Sequence, residues 1–203
     1  MLGPIKTNTK VPAYCDGERA KCNLRLYSNN KKVFSEKGEV LFRKYGLSGI
    51  VVFNASRFVE EDKTQKIVLD LAPEFSEDEI VNYFKDHNIT PQKATGFLSK
   101  SITKFITAQL NNKKINEQIV EFAKLTKKLE FGVKTVYNKP NSCQVCRGGL
   151  STEKIDAKTM SIIYDSNVFV CGEMVDVDGA CGGYNLNWAW LSGIVAGASA
   201  AKD

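Results

Sequence analysis

The sequence predicts an α+β fold in which β-rich segments flank a helical segment and a strand–turn–helix follows. Three observations indicate this order. Residues 20–42 alternate apolar and polar side chains, as half-buried strands do. Residues 75–130 carry apolar side chains at helical spacing. Residues 168–200 read VFVCGEMVDVDGACGGYNLNWAWLSGIVAGASA, in which an acidic loop and a glycine pair separate two apolar stretches.

The first β-rich segment, AKCNLRLYSNNKKVFSEKGEVLF, is predicted to form a β-meander. Leu24 and Leu26 alternate with polar neighbours, and Asn29-Asn30 supplies a turn. The stretch YGLSGIVVFNASRFVEE predicts a loop followed by a short helix, which Ser48 would cap. KIVLDLAP predicts another strand, and Pro73 ends it.

The helical segment contains three predicted helix starts. Ser76 and Glu79 form a capping-box pattern. Thr90-Pro91 places proline at a first helical position, which indicates a second start. A third helix is predicted to begin near Asn116. After Gly132 the chain returns to β character with VKTVYN.

Composition and charge limit the classes of partner and the cellular location that the sequence predicts. The net charge of +5 is modest, and no aromatic-interleaved basic motif occurs, so we expect no nucleic-acid partner. Residues 186–201 form the longest apolar stretch, but polar residues and glycines interrupt it, so we expect no membrane span. Six cysteines without a visible secretory signal predict reduced thiols and a cytoplasmic location.

The cysteines do not predict a metal site. Cys143 and Cys146 form a CxxC, whereas structural zinc wants four ligands, usually from two such motifs. The other cysteines lack that spacing, and His87 is the one histidine of the chain. We expect buried structural cysteines, and a thiol-redox pair is the alternative.

The glycine cluster before the last helix predicts either a cofactor site or a tightly packed turn without a ligand. Gly179 and the Gly182-Gly183 pair do not spell GxGxxG, so this is not the ADP-binding turn of a Rossmann unit. Glu173 supplies a carboxylate, and the N–H groups at a helix start attract anions. Gly193 and Gly197 would let the helix lie close against a sheet.

Three separated stretches, in the same order, resemble a bacterial family of FAD-dependent flavoproteins that includes aminoacetone oxidase and bile-acid ring reductases. CGEMVDVDGACGGYNLNWAWLSGIVAG resembles the family's GE, DVDG-like loop, GGYN or GGFN, and helix ending SG..AG. QVCRGGLSTEKIDAKTM and GEVLFRKYGLSG resemble two further motifs. The likeness runs from about residue 1 to about residue 200.

The resemblance implies a β-barrel-like portion with an inserted helical subdomain, followed by a C-terminal strand–turn–helix that belongs to a Rossmann-like FAD domain. On this basis, residues 1–74 and 131–147 form a β-rich cap, residues 75–130 a helical subdomain, and residues 148–203 the last part of the FAD-binding domain.

The resemblance also implies FAD-binding residues. Gly172 and Glu173 would hold the ribityl and phosphate region, and the last helix would begin beside the pyrimidine edge of the isoalloxazine. The expected cofactor-binding residues are Gly148, Gly149, Gly172, Glu173, Asp178, Gly179, Gly182, Gly183, Tyr184, Asn185 and Leu186. No catalytic residue is assigned.

Departures from the family pattern shape the expected function. Arg43 and Lys44 replace a frequent Thr-His pair, and no GxGxxG occurs. We therefore expect the C-terminal portion of a FAD-dependent oxidoreductase that acts on a small molecule. It would supply the substrate-side cap and part of the isoalloxazine and ribityl site, with an incomplete FAD site and no activity alone. Its expected partner is the N-terminal FAD-binding segment, and NAD(P)H stays open as a further cofactor. The alternative is a non-catalytic binding module that keeps the fold.

Overall fold

The computed structural model describes residues 2–60, 62–110, 114–137 and 145–202. The chain divides into two compact units. Pro4–Tyr137 is the barrel unit, and Met1–Gly3 with Asn138–Asp203 is the C-terminal unit. Strands and helices of the barrel unit share one buried apolar cluster. The domain boundaries given above stay a prediction.

Six antiparallel strands in the described part of the barrel unit close into a barrel. They are β1 (Ile5–Thr7), β2 (Arg19–Ser28), β3 (Lys31–Arg43), β4 (Gly46–Ser48), β5 (Gln65–Asp70) and β6 (Leu129–Val136). Around the barrel the order is β1, β4, β3, β2, β5, β6, and β6 pairs with β1. Closure pairs every strand on both sides, which removes exposed edges.

The longest hairpin, β2–β3, follows from its turn and its alternating pattern. Asn29 and Asn30 have φ values of 47° and 64°, the left-handed pair that a two-residue hairpin turn requires. Leu24 and Leu26 are fully buried, and their neighbours in β2 are partly exposed. The predicted turn is confirmed, but residues 20–42 form a two-stranded hairpin and not a meander, because β3 runs without interruption from Lys31 to Arg43.

Four helices in the described part of the barrel unit complete its core. They are α1 (Ile50–Ser56), α2 (Glu77–Asp86), α3 (Lys100–Thr107) and α4 (Ile115–Lys127). The predicted capping box is confirmed, because Glu79 N–H donates to Ser76 Oγ at 3.2 Å and Ser76 N–H donates to Glu79 Oε2 at 2.8 Å. Phe84 of α2 packs on Phe122 of α4, with ring centroids 5.4 Å apart.

The predicted helix start at Pro91 is confirmed only for a short 3-10 helix and is wrong for the α-helix that carries the apolar stripe. Pro91–Lys93 is a single 3-10 turn, and α3 begins only at Lys100. The Ser99 hydroxyl accepts a hydrogen bond from Ile102 N–H at 3.3 Å. Thr90 makes no such side-chain cap. The α-helix with a side-chain cap therefore begins at Lys100, nine residues after Pro91.

The prediction that Ser48 caps α1 is also wrong. Gly49 is the N-cap residue, with φ 103° and no side-chain capping bond. A Cβ at this position would lie 2.7 Å from the backbone oxygen of Glu39. Close approach to β3 therefore requires glycine at the start of α1.

The described part of the C-terminal unit contains a short hairpin and one long helix. The hairpin is β7 (Ser161–Ile162) and β8 (Asp165–Phe169), and the helix is α5 (Tyr184–Ala200). Its buried apolar residues are Ile155, Met160, Val170, Val175 and Ala196. The α+β class and the strand–turn–helix order are confirmed. No helix in the described ranges combines the length and apolar character needed to span a membrane.

Candidate functional site

The N-terminus of α5 borders an open cavity of about 330 Å³ in the C-terminal unit. Small-molecule sites usually measure about 300–1,000 Å³, so this cavity is at the lower end of that range. Its lining combines the backbone of Gly182 and Gly183 with the carboxylate of Glu173 and the rings and methyl groups of apolar residues such as Trp188 and Val177.

The glycine pair determines how α5 begins. Gly182 has φ 136°, and Gly183, the N-cap residue, has φ 95°, a region that favours glycine. No side chain caps the first turn. Uncapped N–H groups at a helix N-terminus carry about half a positive charge and can donate to an anionic ligand. The cavity therefore has a donor-rich wall.

Asn185 fixes the preceding loop to the start of α5. Its Oδ1 accepts from Gly179 N–H at 2.8 Å, and its Nδ2 donates to Gly179 O at 3.1 Å. A Cβ at Gly179 would lie 2.9 Å from Tyr184 Cβ. The approach therefore requires glycine, and the loop is held by one side-chain amide.

Gly172 is hydrogen-bonded to the side of α5. Its N–H donates to Ser192 Oγ at 2.9 Å, and its carbonyl accepts from Trp188 Nε1 at 3.0 Å. Ser192 is 2% exposed. Both backbone polar groups of Gly172 thus have protein partners, which makes this residue a link between the 3-10 turn Gly172–Met174 and the helix.

Gly149 allows two backbone segments to lie side by side. A Cβ there would lie 2.7 Å from Met174 O. Leu150 N–H donates to Met174 O at 2.8 Å, and Asp176 N–H donates to Leu150 O at 2.9 Å. Gly148 has φ 103°, and open space surrounds the position of its Cβ.

Two carboxylates hold the segment that contains the second CxxC cysteine. Glu173 Oε1 accepts from Cys146 N–H at 2.9 Å. Asp178 forms an ion pair with Arg147, with 3.6 Å between Oδ2 and Nε. Glu173 also lines the cavity. Cys146 is exposed, so the prediction that it is a buried structural cysteine is wrong. Cys143 lies outside the described residues.

Two family models match the chain. The HI0933-like protein Rossmann domain matches residues 86–199, and the HI0933-like barrel and H2TH domain matches residues 6–134. Each match covers more than half of the chain. The chain belongs to the HI0933-like family. This family consists of FAD-dependent oxidoreductases, which confirms the resemblance found in the sequence and the Rossmann assignment of the last helix.

The curated proteins to which the chain is similar include a bile-acid reductase and two ribosomal RNA dihydrouridine synthases. A 3-dehydro-bile acid delta(4,6)-reductase from Clostridium scindens is 29% identical over 99% of this chain and 53% of the relative. A ribosomal RNA dihydrouridine synthase from Haemophilus influenzae is 28% identical over 76% of this chain and 40% of the relative. Its Escherichia coli counterpart is 37% identical over 51 residues. The chain thus covers about half the length of the Clostridium scindens reductase, at 53%, and less than half of the Haemophilus influenzae synthase, at 40%.

The cavity of this HI0933-like chain gathers some of the predicted cofactor residues and not others. Those that line it are Glu173, Gly182, Gly183, Asn185 and Leu186. Those outside its lining are Gly148, Gly149, Gly172, Asp178, Gly179 and Tyr184. Lining residues that the sequence did not indicate are Leu2, Val145, Val177, Cys181, Trp188 and Ala189. Helical spacing from Asn185 would have found Trp188 and Ala189. The binding role of each residue stays a prediction.

One face of α5 is open among the described residues. No described atom outside the helix lies within 4 Å of a Cβ added at Gly193 or Gly197, so the predicted close packing of these glycines against a sheet is absent there. Large apolar side chains on the helix are 63–69% exposed: Tyr184, Leu186, Trp190, Leu191 and Ile194.

Two described thiols of the barrel unit have a raised pKa. Burial raises the pKa of Cys15 to about 11 and that of Cys22 to about 12. Both thiols therefore stay protonated at neutral pH and suit a structural role. Among the described residues, no group of three His, Cys, Asp or Glu could hold a metal ion.

Proposed function

We propose that this chain forms part of the isoalloxazine and ribityl site of a FAD-dependent oxidoreductase and supplies the substrate-side cap. The cavity at the N-terminus of α5 is the observation that carries the proposal. It offers uncapped N–H donors from the first turn of α5 and glycine backbone at Gly182 and Gly183. A flat ring can approach glycine closely.

The donor set suits one edge of a flavin. FAD, when bound, supplies the hydride chemistry. The first-turn N–H groups would donate to a ring oxygen, and Trp188 and Val177 would exclude water from one side of the site. A helix-dipole contribution of about 1 kcal/mol favours the negatively charged, reduced form. It corresponds to a two-electron potential about 20 mV higher.

We propose that a second polypeptide segment covers the open face of α5 and binds the adenine dinucleotide. A volume of about 330 Å³ accommodates only part of FAD. Leu191 and Ile194 are 63% and 67% exposed, and contiguous exposed apolar surface marks an interaction site. This segment corresponds to the N-terminal FAD-binding segment expected from the sequence.

Flavin absorbance tests both parts of the proposal. The chain is mixed with FAD alone, and then with FAD and the N-terminal half of the Clostridium scindens relative. We expect weak or no binding in the first case and a bound-flavin spectrum in the second. Stoichiometric flavin on the chain alone would contradict the incomplete site, and no flavin in either case would contradict the site itself. Bound flavin that neither NAD(P)H nor any candidate substrate reduces, and that no candidate substrate reoxidises after chemical reduction, would favour the non-catalytic module.

Two matched glycine variants locate the flavin. Gly183→Ala adds a methyl group at the cavity, and Gly17→Ala adds one in the barrel unit, outside the lining. Gly183 has φ 95° and Gly17 has φ 91°, and neither Cβ would meet another atom within 4 Å, so the backbone strain is comparable. We expect Gly183→Ala to weaken flavin binding at least tenfold relative to Gly17→Ala. Equal loss in both variants would contradict the placement.

We propose a small organic molecule as the substrate, and RNA is the second candidate. The specific observation for RNA is that residues 87–116 contain five lysines and no Asp or Glu. Lys100 and Lys104 lie one turn apart on the exposed side of α3. The sequence predicted no nucleic-acid partner, and a binding measurement decides between the two.

A salt series with a ribosomal RNA fragment separates the candidates. RNA binding through these lysines predicts an affinity that falls with salt, with a log–log slope of about −0.7 per phosphate contact. Lys100→Gln with Lys104→Gln would reduce that slope by about 1.4. Lys31→Gln with Lys32→Gln, in the β2–β3 hairpin, is the control. No salt-dependent binding would leave the small molecule as the substrate.

A further inference from the structure

A second cavity lies in the barrel unit, between α2 and the segment that follows it. Its volume is about 630 Å³, which lies inside the usual range for small-molecule sites. Seven of its ten lining residues are apolar or aromatic. Ile80 and Phe84 are buried at 1% exposure, whereas Phe75 and Tyr83 are 48% and 50% exposed. The floor is thus a fixed part of the core, and the rim presents aromatic rings to solvent.

The rings of this cavity hold one another in position. Phe97 packs edge-on against Phe84, with centroids 5.9 Å apart and an interplanar angle of 86°. Phe75 lies 5.8 Å from Phe97. Rings fixed by such contacts lose little entropy when a flat apolar ligand packs on them.

The two charged lining residues differ in their partners. Glu79 Oε2 accepts from Ser76 N–H and Ser76 Oγ, both at 2.8 Å, and the backbone bond lowers the pKa of this carboxyl. The Glu79 carboxylate is therefore used in the capping box of α2. The Lys93 ammonium makes no ion pair or side-chain hydrogen bond with any residue that the structure describes. Lys93 also lies within segment 87–116, whose sequence contains no Asp or Glu.

We propose that this cavity binds an amphipathic organic anion, namely a flat apolar ring system that carries one carboxylate. The rings would pack between Phe97 and Tyr83, and the carboxylate would lie beside the Lys93 ammonium. The free cation at one end selects an anionic group, and the apolar floor selects a ring. The proposal is independent of the flavin site.

Methyl NMR of the full chain with labelled isoleucine tests the proposal. The probes are β-naphthoate and the neutral β-naphthamide, which match in shape and differ in charge. We expect the methyl signals of Ile80 and Ile89, which line the cavity, to shift on titration. Naphthoate should bind about three- to five-fold more tightly than naphthamide, the size typical of one exposed charge pair.

Three variants complete the test. Lys93→Met should bring naphthoate to the affinity of naphthamide, whereas Lys100→Met, outside the lining, should change neither. Gly96 lines the cavity, and nothing lies within 4 Å of its Cβ position, so Gly96→Leu should fill it and weaken both probes at least tenfold. Absent shifts, equal affinities of the two probes, or no effect of Gly96→Leu would overturn the proposal.

Discussion

The barrel unit and the C-terminal unit hold their helices by different means. Among the described residues of the barrel unit, 27 buried residues form one apolar cluster that includes residues of all four helices. Among those of the C-terminal unit, five buried residues form the cluster. Ala196 is its member from α5, and the partly buried Trp188 and Val195 of α5 pack against it. The barrel unit therefore derives its stability from packing within the unit. The C-terminal unit keeps a helix whose most apolar side chains face solvent.

Polar contacts add to the few apolar contacts that described residues make with α5. The helix is joined to Gly172 through Ser192 and Trp188, and to Gly179 through Asn185. Buried hydrogen bonds of this kind fix geometry more than they add stability. The N-terminus of α5 is therefore positioned by residues of its own unit, while the described residues leave the open face of α5 uncovered.

The largest expected effect is the loss of unfolding free energy caused by a substitution in the core of the barrel unit. Phe131 is fully buried and lies 6.2 Å from both Phe42 and Phe105, measured between ring centroids. Phe131→Ala should lower the free energy of unfolding of the barrel unit by about 3–5 kcal/mol. Urea unfolding followed by circular dichroism measures it.

Tryptophan fluorescence supplies the control for Phe131→Ala. Both tryptophans of the chain, Trp188 and Trp190, lie in the C-terminal unit. Their transition should keep its midpoint, because the variant changes the other core. A fluorescence transition that moves together with the circular dichroism would contradict separate cores.

The second expected effect concerns the polar contacts of α5. Ser192→Ala removes the acceptor of Gly172 N–H and leaves a buried donor without that partner. The expected cost is about 1–3 kcal/mol in the fluorescence transition. Ser199→Ala, in the last turn of the same helix, is the matched control and should cost less than about 0.5 kcal/mol. Equal costs would mean that the Gly172 contact contributes nothing specific.

Local signals in the sequence predicted the elements well. The capping box at Ser76, the Asn29-Asn30 turn and the start of α5 after Gly183 each depend on residues within one turn of chain. The pattern at Pro91 failed because a stronger cap lay further along, at Ser99.

Long-range pairing explains what the sequence did not predict. Leu2 lines the cavity because its N–H donates to Val145 O at 3.0 Å, and no local pattern links these residues. Gly172 N–H donates to Ser192 Oγ, in the middle of α5, and no local pattern links these two residues either. Hydrogen-bond partners twenty or more residues apart are decided by tertiary packing, which overrides local pattern.

A smaller effect, of opposite sign, tests the open face of α5. Gly193→Ala and Gly197→Ala place methyl groups in open space and remove the helix penalty of glycine. Each should raise the free energy of unfolding of the C-terminal unit by about 0.5–1 kcal/mol. If either variant lowers the midpoint of the fluorescence transition, other residues of this chain pack against Gly193 or Gly197. If the proposed second segment packs on these glycines, the same variants should weaken its binding.

The smallest expected effect on stability comes from a substitution on the exposed side of α5, and it is compared with one on the buried side of the same helix. Ile194 is 67% exposed, so Ile194→Lys should change the free energy of unfolding of the C-terminal unit by less than about 0.5 kcal/mol. Ala196 lies two residues further along on the buried side, at 8% exposure, so Ala196→Lys should cost several times more, because it buries a charge. With the second segment present, Ile194→Lys should abolish flavin retention although the chain itself stays folded. Unchanged retention would mean that the segment covers a different surface, and the apolar face of α5 would then need another partner.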